Sequence, residues 1–145
     1  MTDLVAKHGS ANSPDRGPER QRPPGVSDEV VAALGKLSEA LEGADHARGM
    51  LYGFHQLCGT IDGNVQEAVA MFRSAGMAEL ADEIEECLVG RAIVDDRWSF
   101  QLVEAYDEQY WEVFRDVEQE ARARAGVPER HVYEAEMKVA EQQPH

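Results

Sequence analysis

Long apolar runs, cysteine and lysine are all scarce in this chain. No segment approaches the roughly 20 consecutive apolar residues that cross a bilayer, so we expect no membrane span. The two cysteines, Cys58 and Cys87, form no C-x-x-C pair, and the N-terminus lacks the apolar centre of a secretory signal. We therefore expect a cytoplasmic protein with two buried free thiols. The apolar and polar alternation of β-strands is also absent, which predicts an all-α fold.

Charge of one sign dominates, with 28 Asp and Glu against 14 Lys and Arg and a net charge of −14. Segment 1–25 holds four basic and three acidic residues, which leaves 10 basic and 25 acidic residues, or −15, in 26–145. A surface of this sign repels phosphate backbones and anionic lipids. We therefore expect neither nucleic acid nor a membrane as a partner.

The order of proline, glycine and apolar residues predicts a disordered tail at 1–25 and one all-α domain at 26–142. The first helix begins at Ser27, but Gly43 leaves open whether 27–59 is one bent helix or two. Segment 59–63 is predicted to be a loop, and Asn64 is predicted to begin a helical hairpin over 64–89. A connector at 91–97, a helix to about residue 125 and a last helix at 129–142 complete a bundle of five or six helices.

The segment from Trp98 to Val117 carries the strongest helical pattern. Its apolar residues recur in steps of three or four and predict one buried stripe on a long helix. This stripe comprises Phe100, Val103, Tyr106, Tyr110, Val113 and Val117. Trp111 falls one position off the stripe, so we expect it at the margin.

Carboxylates three residues apart, Glu83 with Glu86 and Glu104 with Asp107, share helix faces. The spacing resembles the E-x-x-E…E-x-x-D pattern of the all-α nucleotide pyrophosphatases. That resemblance implies that these four residues bind Mg²⁺ and that the chain hydrolyses nucleoside triphosphates. The competing interpretation is that acidic residues occupy the solvent face of amphipathic helices, and lysines that would steady phosphates are scarce.

Other catalytic patterns are missing. No histidine has a Glu three residues before it, as di-iron bundles require. Ser99 and Cys58 have no signature for nucleophilic catalysis, and there is no Gly-rich phosphate loop. A small-ligand pocket lined by Tyr52, His55 and Tyr106 is a third alternative. Without a catalytic motif, no cofactor is expected outside the magnesium alternative.

A mixed set of aromatic, basic and acidic residues is typical of a protein interface or pocket. The candidates are Arg91, Arg97, Trp98, Trp111, His131, Tyr133 and Glu134. In the simpler alternative, Trp98 anchors the connector to the core and the two connector arginines balance local acids.

Three strings, HARGMLYGFHQL, LVGRAIVDDRWSFQLVEAYDEQYW and RHVYEAEMK, resemble segments of a family of small uncharacterised actinobacterial helical proteins. That resemblance implies an intracellular soluble protein and assigns no catalytic residue. The sequence therefore predicts a non-enzymatic protein-interaction or self-association module, which binds a protein partner or further copies of itself.

Overall fold

The computed structural model describes residues 6–7 and 21–142, which are mostly helical (79%) and contain no strand. Helix α1 spans Asp28–Ser74, α2 spans Ala78–Leu88, α3 covers 99–125 and α4 spans Val132–Gln142. The all-α prediction is confirmed. The predicted count of five or six helices is not confirmed, because α1 is continuous where two or three helices were expected. Of the predicted tail at 1–25, residues 1–5 and 8–20 lie outside the part of the chain that the structure describes.

The chain divides into two compact units. The terminal unit comprises Met1–Ser38 with Gln119–His145, and the central unit comprises Glu39–Glu118. A cluster of Val31, Val127 and Val132 forms the core of the terminal unit. The prediction of one domain at 26–142 stays a prediction.

Helix α1 begins as predicted, since the Ser27 hydroxyl accepts the Val30 N–H at 3.2 Å. The predicted loop at 59–63 is wrong, because the helix runs through it. A glycine inside a helix costs about 1 kcal/mol relative to alanine and does not forbid the helix. Local bonds also support the segment: Asp62 accepts from Gln66 at 2.7 Å, four residues on. Asn64 therefore lies within α1 and begins no new helix.

The turn of the predicted hairpin and its second helix are confirmed, but the first helix begins at Asp28 and not at Asn64. Gly76 has a φ of +80°, in the left-handed region that ends helices, and Met77 N–H donates to the Phe72 carbonyl at 2.9 Å. Arg73 donates to Asp82 at 2.5 Å and to Glu85 at 2.6 Å. These bonds tie the last turn of α1 to α2.

A tight turn lies in the connector between α2 and α3. Arg97 N–H donates to the Val94 carbonyl at 2.9 Å, and Asp95 and Asp96 both have positive φ, 49° and 56°. Two consecutive positive φ values define a type I′ turn. Trp98 N–H then donates to the Gln101 side chain at 2.8 Å, which begins α3.

Helix α3 contains one π-helical turn. It consists of an α-helical segment Ser99–Tyr106, the π turn Asp107–Trp111 and a second α-helical segment Glu112–Ala125. Glu112 N–H bonds to the Asp107 carbonyl, five residues back. Because a π turn holds one residue more than an α turn, every later residue moves one position around the helix.

This shift corrects the predicted stripe beyond Tyr106. Val113 and Val117 are 52% and 56% exposed, whereas Phe114 is half-buried and Glu118 is only 2% exposed. The inward face therefore continues through Trp111, Phe114 and Glu118, one residue later than an unbroken α-helix predicts. Phe100 and Tyr110 of the predicted stripe are also exposed.

Helix α4 begins three residues later than predicted, because His131 has a φ of +65° and so cannot lie within a helix. Glu136 of α4 accepts two bonds of 2.9 Å from Arg22, which ties the start of the terminal unit to this helix. Among the described helices, none combines the length and the apolar character that a membrane span requires.

Candidate functional site

Helix α1 presents two parallel rows of side chains within the central unit. Members of the first, the inward row, recur in steps of three and four and are all buried or half-buried. The inward row comprises Ala44, Arg48, Leu51, His55, Cys58, Asp62, Val65, Val69 and Phe72. Three of its members are strongly polar, and each has a specific partner.

Arg48 holds Asp107 in a two-pronged ion pair. Its guanidinium donates to the two carboxylate oxygens at 2.7 and 3.0 Å, a geometry that arginine favours. These bonds hold the pKa of Asp107 below its ordinary value and raise the pKa of Arg48. The ion pair fixes the start of the π turn against α1.

Asp62 is the third strongly polar member of the inward row. Its carboxylate accepts the Gly90 N–H at 2.9 Å and the Gln66 amide at 2.7 Å. Hydrogen bonds to the charged form favour it, so the pKa of Asp62 lies below its ordinary value. The chain that leaves α2 is thereby tied to α1.

A cleft of about 390 Å³ opens between α1, the connector and the start of α3. Its lining residues are His55, Cys58, Gly59, Asp62, Gly90, Arg91, Ile93, Trp98, Ser99 and Phe100. The Trp98 indole N–H donates to the Gly90 carbonyl at 3.2 Å, so this ring braces the wall of the cleft. His55, but neither Tyr52 nor Tyr106, lines the cleft, in contrast to the pocket that the sequence suggested.

His55 and Ser99 meet in this cleft, with 2.7 Å between Nδ1 and Oγ. A serine nucleophile also needs an orienting carboxylate on the histidine and donors for an oxyanion. Among the described residues, no carboxylate bonds to His55. Ser99 is 7% exposed and begins α3. The bond joins α1 to the start of α3.

Both cysteines are free, as predicted. Cys58 is half-buried and lines the cleft, whereas Cys87 is exposed, so the predicted burial is wrong for Cys87. Arg91 donates to the Cys87 carbonyl at 3.3 Å, one turn back along the chain.

The second row on α1, the exposed row, lies one residue before the inward row. Its members also recur in alternating steps of three and four, and all but the half-buried Ala68 are exposed. The exposed row comprises Ala47, Met50, Phe54, Leu57, Ile61, Asn64, Ala68 and Met71. Met50 and Met71 expose 69% and 70% of their surface, and Leu57 and Ile61 expose more than half. The exposed row is thus more apolar than the row packed inside the chain.

The predicted interface residues are divided between the two units. Arg91, Arg97, Trp98 and Trp111 lie in the central unit, and His131, Tyr133 and Glu134 lie in the terminal unit. Of the first group, only Arg91 and Trp98 line the cleft. Trp111 follows Trp98 by 13 residues, or about 20 Å along α3. The proposed contact role of these seven residues stays a prediction.

All three predicted interface residues in the terminal unit have neighbours within that unit. His131 Nδ1 lies 3.7 Å from the Glu134 carboxylate, and a Cβ at Gly35 would lie 3.1 Å from the Tyr133 ring.

The four carboxylates of the magnesium alternative do not converge. Glu83, Glu86 and Glu104 are exposed, and Asp107 is engaged by Arg48. All four lie in the described part of the chain, and no three of them bring ligand oxygens within 4.8 Å of one another. The geometry gives the pyrophosphatase alternative no support.

Sequence reasoning missed the exposed row, although its signal is present. A single apolar stripe on this segment would combine Met50, Phe54 and Leu57 with Leu51 and Cys58, which belong to the inward row. The loop predicted at 59–63 also includes Ile61, so it hides the continuation of the alternating spacing beyond Leu57. The alternating spacing over 47–71 was the signal that separates the two rows.

The chain matches no protein-family model, and searches of curated proteins and of solved structures find no match either. Both family resemblances seen in the sequence therefore stay predictions.

Proposed function

We propose that this chain is a cytoplasmic, non-enzymatic interaction module that binds a second helix along the exposed row of α1. The carrying observation is the alternation of steps of three and four over 47–71, in a row that is exposed except at Ala68 and apolar except at Asn64. This spacing is the one with which helices pack side by side in coiled coils.

The distribution of polarity over the two rows supports this proposal. Arg48, His55 and Asp62 occupy inward positions and need specific bonds to lie there. Met50, Leu57 and Ile61 remain exposed, where their apolar surface gains nothing for the isolated chain. Fully burying a side chain of this size contributes roughly 1.5–3 kcal/mol, so a helix that covered the row would recover a substantial part of that.

Position-specific photo-crosslinking tests the proposal. A chain with benzoylphenylalanine in place of Leu57 is irradiated in the cells that express it, and one discrete adduct is expected. The matched control carries the same group at Glu79, which is exposed on α2. Adding Ile61→Glu to the Leu57 chain should abolish the adduct, since it places a charge within the row. The absence of an adduct at Leu57, or the same adduct from both positions, would overturn the proposal.

A further inference from the structure

We infer that the partner of the exposed row is a second copy of this chain, aligned parallel and in register. The inference rests on the proposed function and adds the identity and direction of the partner. Three features of the central unit carry it: the length of the repeat, the charge around it and the position of Asn64.

The repeat has the length and period of a coiled-coil seam. It covers 25 residues, 47–71, which is between three and four heptads and about 36 Å of helix. Two identical rows have the same period, so they remain in phase along their whole length. A symmetric pair of this kind buries the same patch on both copies and closes as a dimer.

The lack of charge around the row allows a second copy to meet this face. No Asp, Glu, Lys or Arg occurs between Arg48 and Asp62, and these two belong to the inward row. Two chains of net charge −14 repel each other over most of their surfaces, and an uncharged strip is where they meet at least cost. A basic partner would instead be attracted to the acidic surfaces.

Asn64 defines the direction of pairing. It is the one strongly polar member of the exposed row. In a parallel pair in register, the two Asn64 amides face each other and can donate to and accept from each other. In an antiparallel pair centred on the row, Asn64 faces an apolar residue such as Phe54 and loses its partner. The parallel arrangement is therefore favoured.

Gly53 provides room for the largest side chain of the row. In a parallel coiled coil, the ring of Phe54 would enter a hole bordered by Met50, Gly53, Phe54 and Leu57 of the second copy. A Cβ at Gly53 would meet no atom within 4 Å in the isolated chain, so nothing inside the chain requires a glycine there. In the inferred dimer, this open space would accommodate the Phe54 ring of the second copy.

Mass and disulfide trapping on the full purified chain test the inference. Light scattering after gel filtration should give twice the 16.1 kDa of one chain, and Leu57→Glu should give the single mass with unchanged helical circular dichroism. In a background of Cys58→Ser and Cys87→Ser, Asn64→Cys should form an intermolecular disulfide on mild oxidation. Facing positions in a parallel coiled coil lie within disulfide reach. The control Gln66→Cys, also exposed on α1 but outside the row, should remain monomeric on denaturing gels.

Each outcome decides a separate question. A single-chain mass for the unmodified protein would overturn the inference of a second copy. The proposed function would then be decided by the photo-crosslinking experiment at Leu57. A double mass that is retained in Leu57→Glu would place the dimer contact elsewhere and also overturn it. A double mass without trapping at position 64 would overturn the parallel register.

Discussion

The indole N–H of Trp111 donates to the Asp45 carboxylate at 2.6 Å, which links α3 to α1 within the central unit. The guanidinium of Arg48 lies 4.3 Å from the Trp111 ring, and that of Arg115 lies 4.7 Å from it. The Trp111 ring therefore makes cation–π contacts with two arginines of its own chain. This arrangement favours a stabilising role for Trp111.

We expect Trp111→Phe to lower the free energy of unfolding by about 1 kcal/mol, since it keeps a ring and removes the hydrogen bond to Asp45. The melting temperature should fall by a few degrees, as measured by calorimetry. The dimer mass should not change. A weakened dimer with an unchanged melting temperature would instead show that Trp111 belongs to the contact surface.

Alanine at Gly35 and alanine at Gly43 should have different effects. Alanine is favoured over glycine inside a helix by about 1 kcal/mol. A Cβ at Gly43 meets nothing within 4 Å, so Gly43→Ala should raise the melting temperature. At Gly35 the added Cβ would lie 3.1 Å from the Tyr133 ring, which must move aside. The melting temperature of Gly35→Ala should therefore be clearly lower than that of Gly43→Ala. Equal gains from both substitutions would show that the Tyr133 ring moves freely.

The π turn predicts a one-residue deletion that the fold tolerates. Removing the exposed Gln109 would convert the turn to α-helix and leave Trp111, Phe114 and Glu118 on the inward face. We expect this deletion to keep the melting temperature and the helical circular dichroism. Removing Asp116, which is also exposed but follows the turn, would rotate Glu118 outward and lower the melting temperature. A loss of the same size in both deletions would contradict this account of the π turn.

Acid should weaken the central unit through Asp62 and Asp107. The folded-state pKa of each is lowered, so each stabilises the fold at a pH above its unfolded value of about 3.9. That stabilisation is lost as the pH falls through the folded-state values. When unfolding by denaturant is measured between pH 6 and pH 2, the free energy of unfolding should therefore fall less steeply with acid in Asp107→Asn than in the unmodified chain. The same pH dependence in both proteins would show that the ion pair with Arg48 does not contribute to stability.

The features that the sequence predicted correctly are local ones. Gly76, Gly90 and Gly126 each follow a helix with a φ between +70° and +80°, and nearby residues alone indicate those ends. The bond between His55 and Ser99 joins residues 44 positions apart, so no local pattern shows it.

The π turn was beyond sequence reasoning for the same reason. An extra residue in a helical turn is tolerated where tertiary bonds hold the residues on both sides of it. Here Tyr106 O–H donates to the Ala44 carbonyl at 2.8 Å before the turn, and Trp111 bonds to Asp45 at its end. The periodicity of α3 alone predicts an unbroken stripe.

If two copies pair along the uncharged exposed row, as inferred above, their assembly should respond to ionic strength in an unusual direction. Interfaces built on ion pairs loosen when salt is added, but here salt screens only the repulsion between two chains of net charge −14. Raising sodium chloride from 0.05 M to 1 M should therefore tighten the dimer in sedimentation velocity, and a looser dimer would show that charged contacts hold it. In the proposed dimer, the ionic strength of the medium would then set how much of the chain is paired.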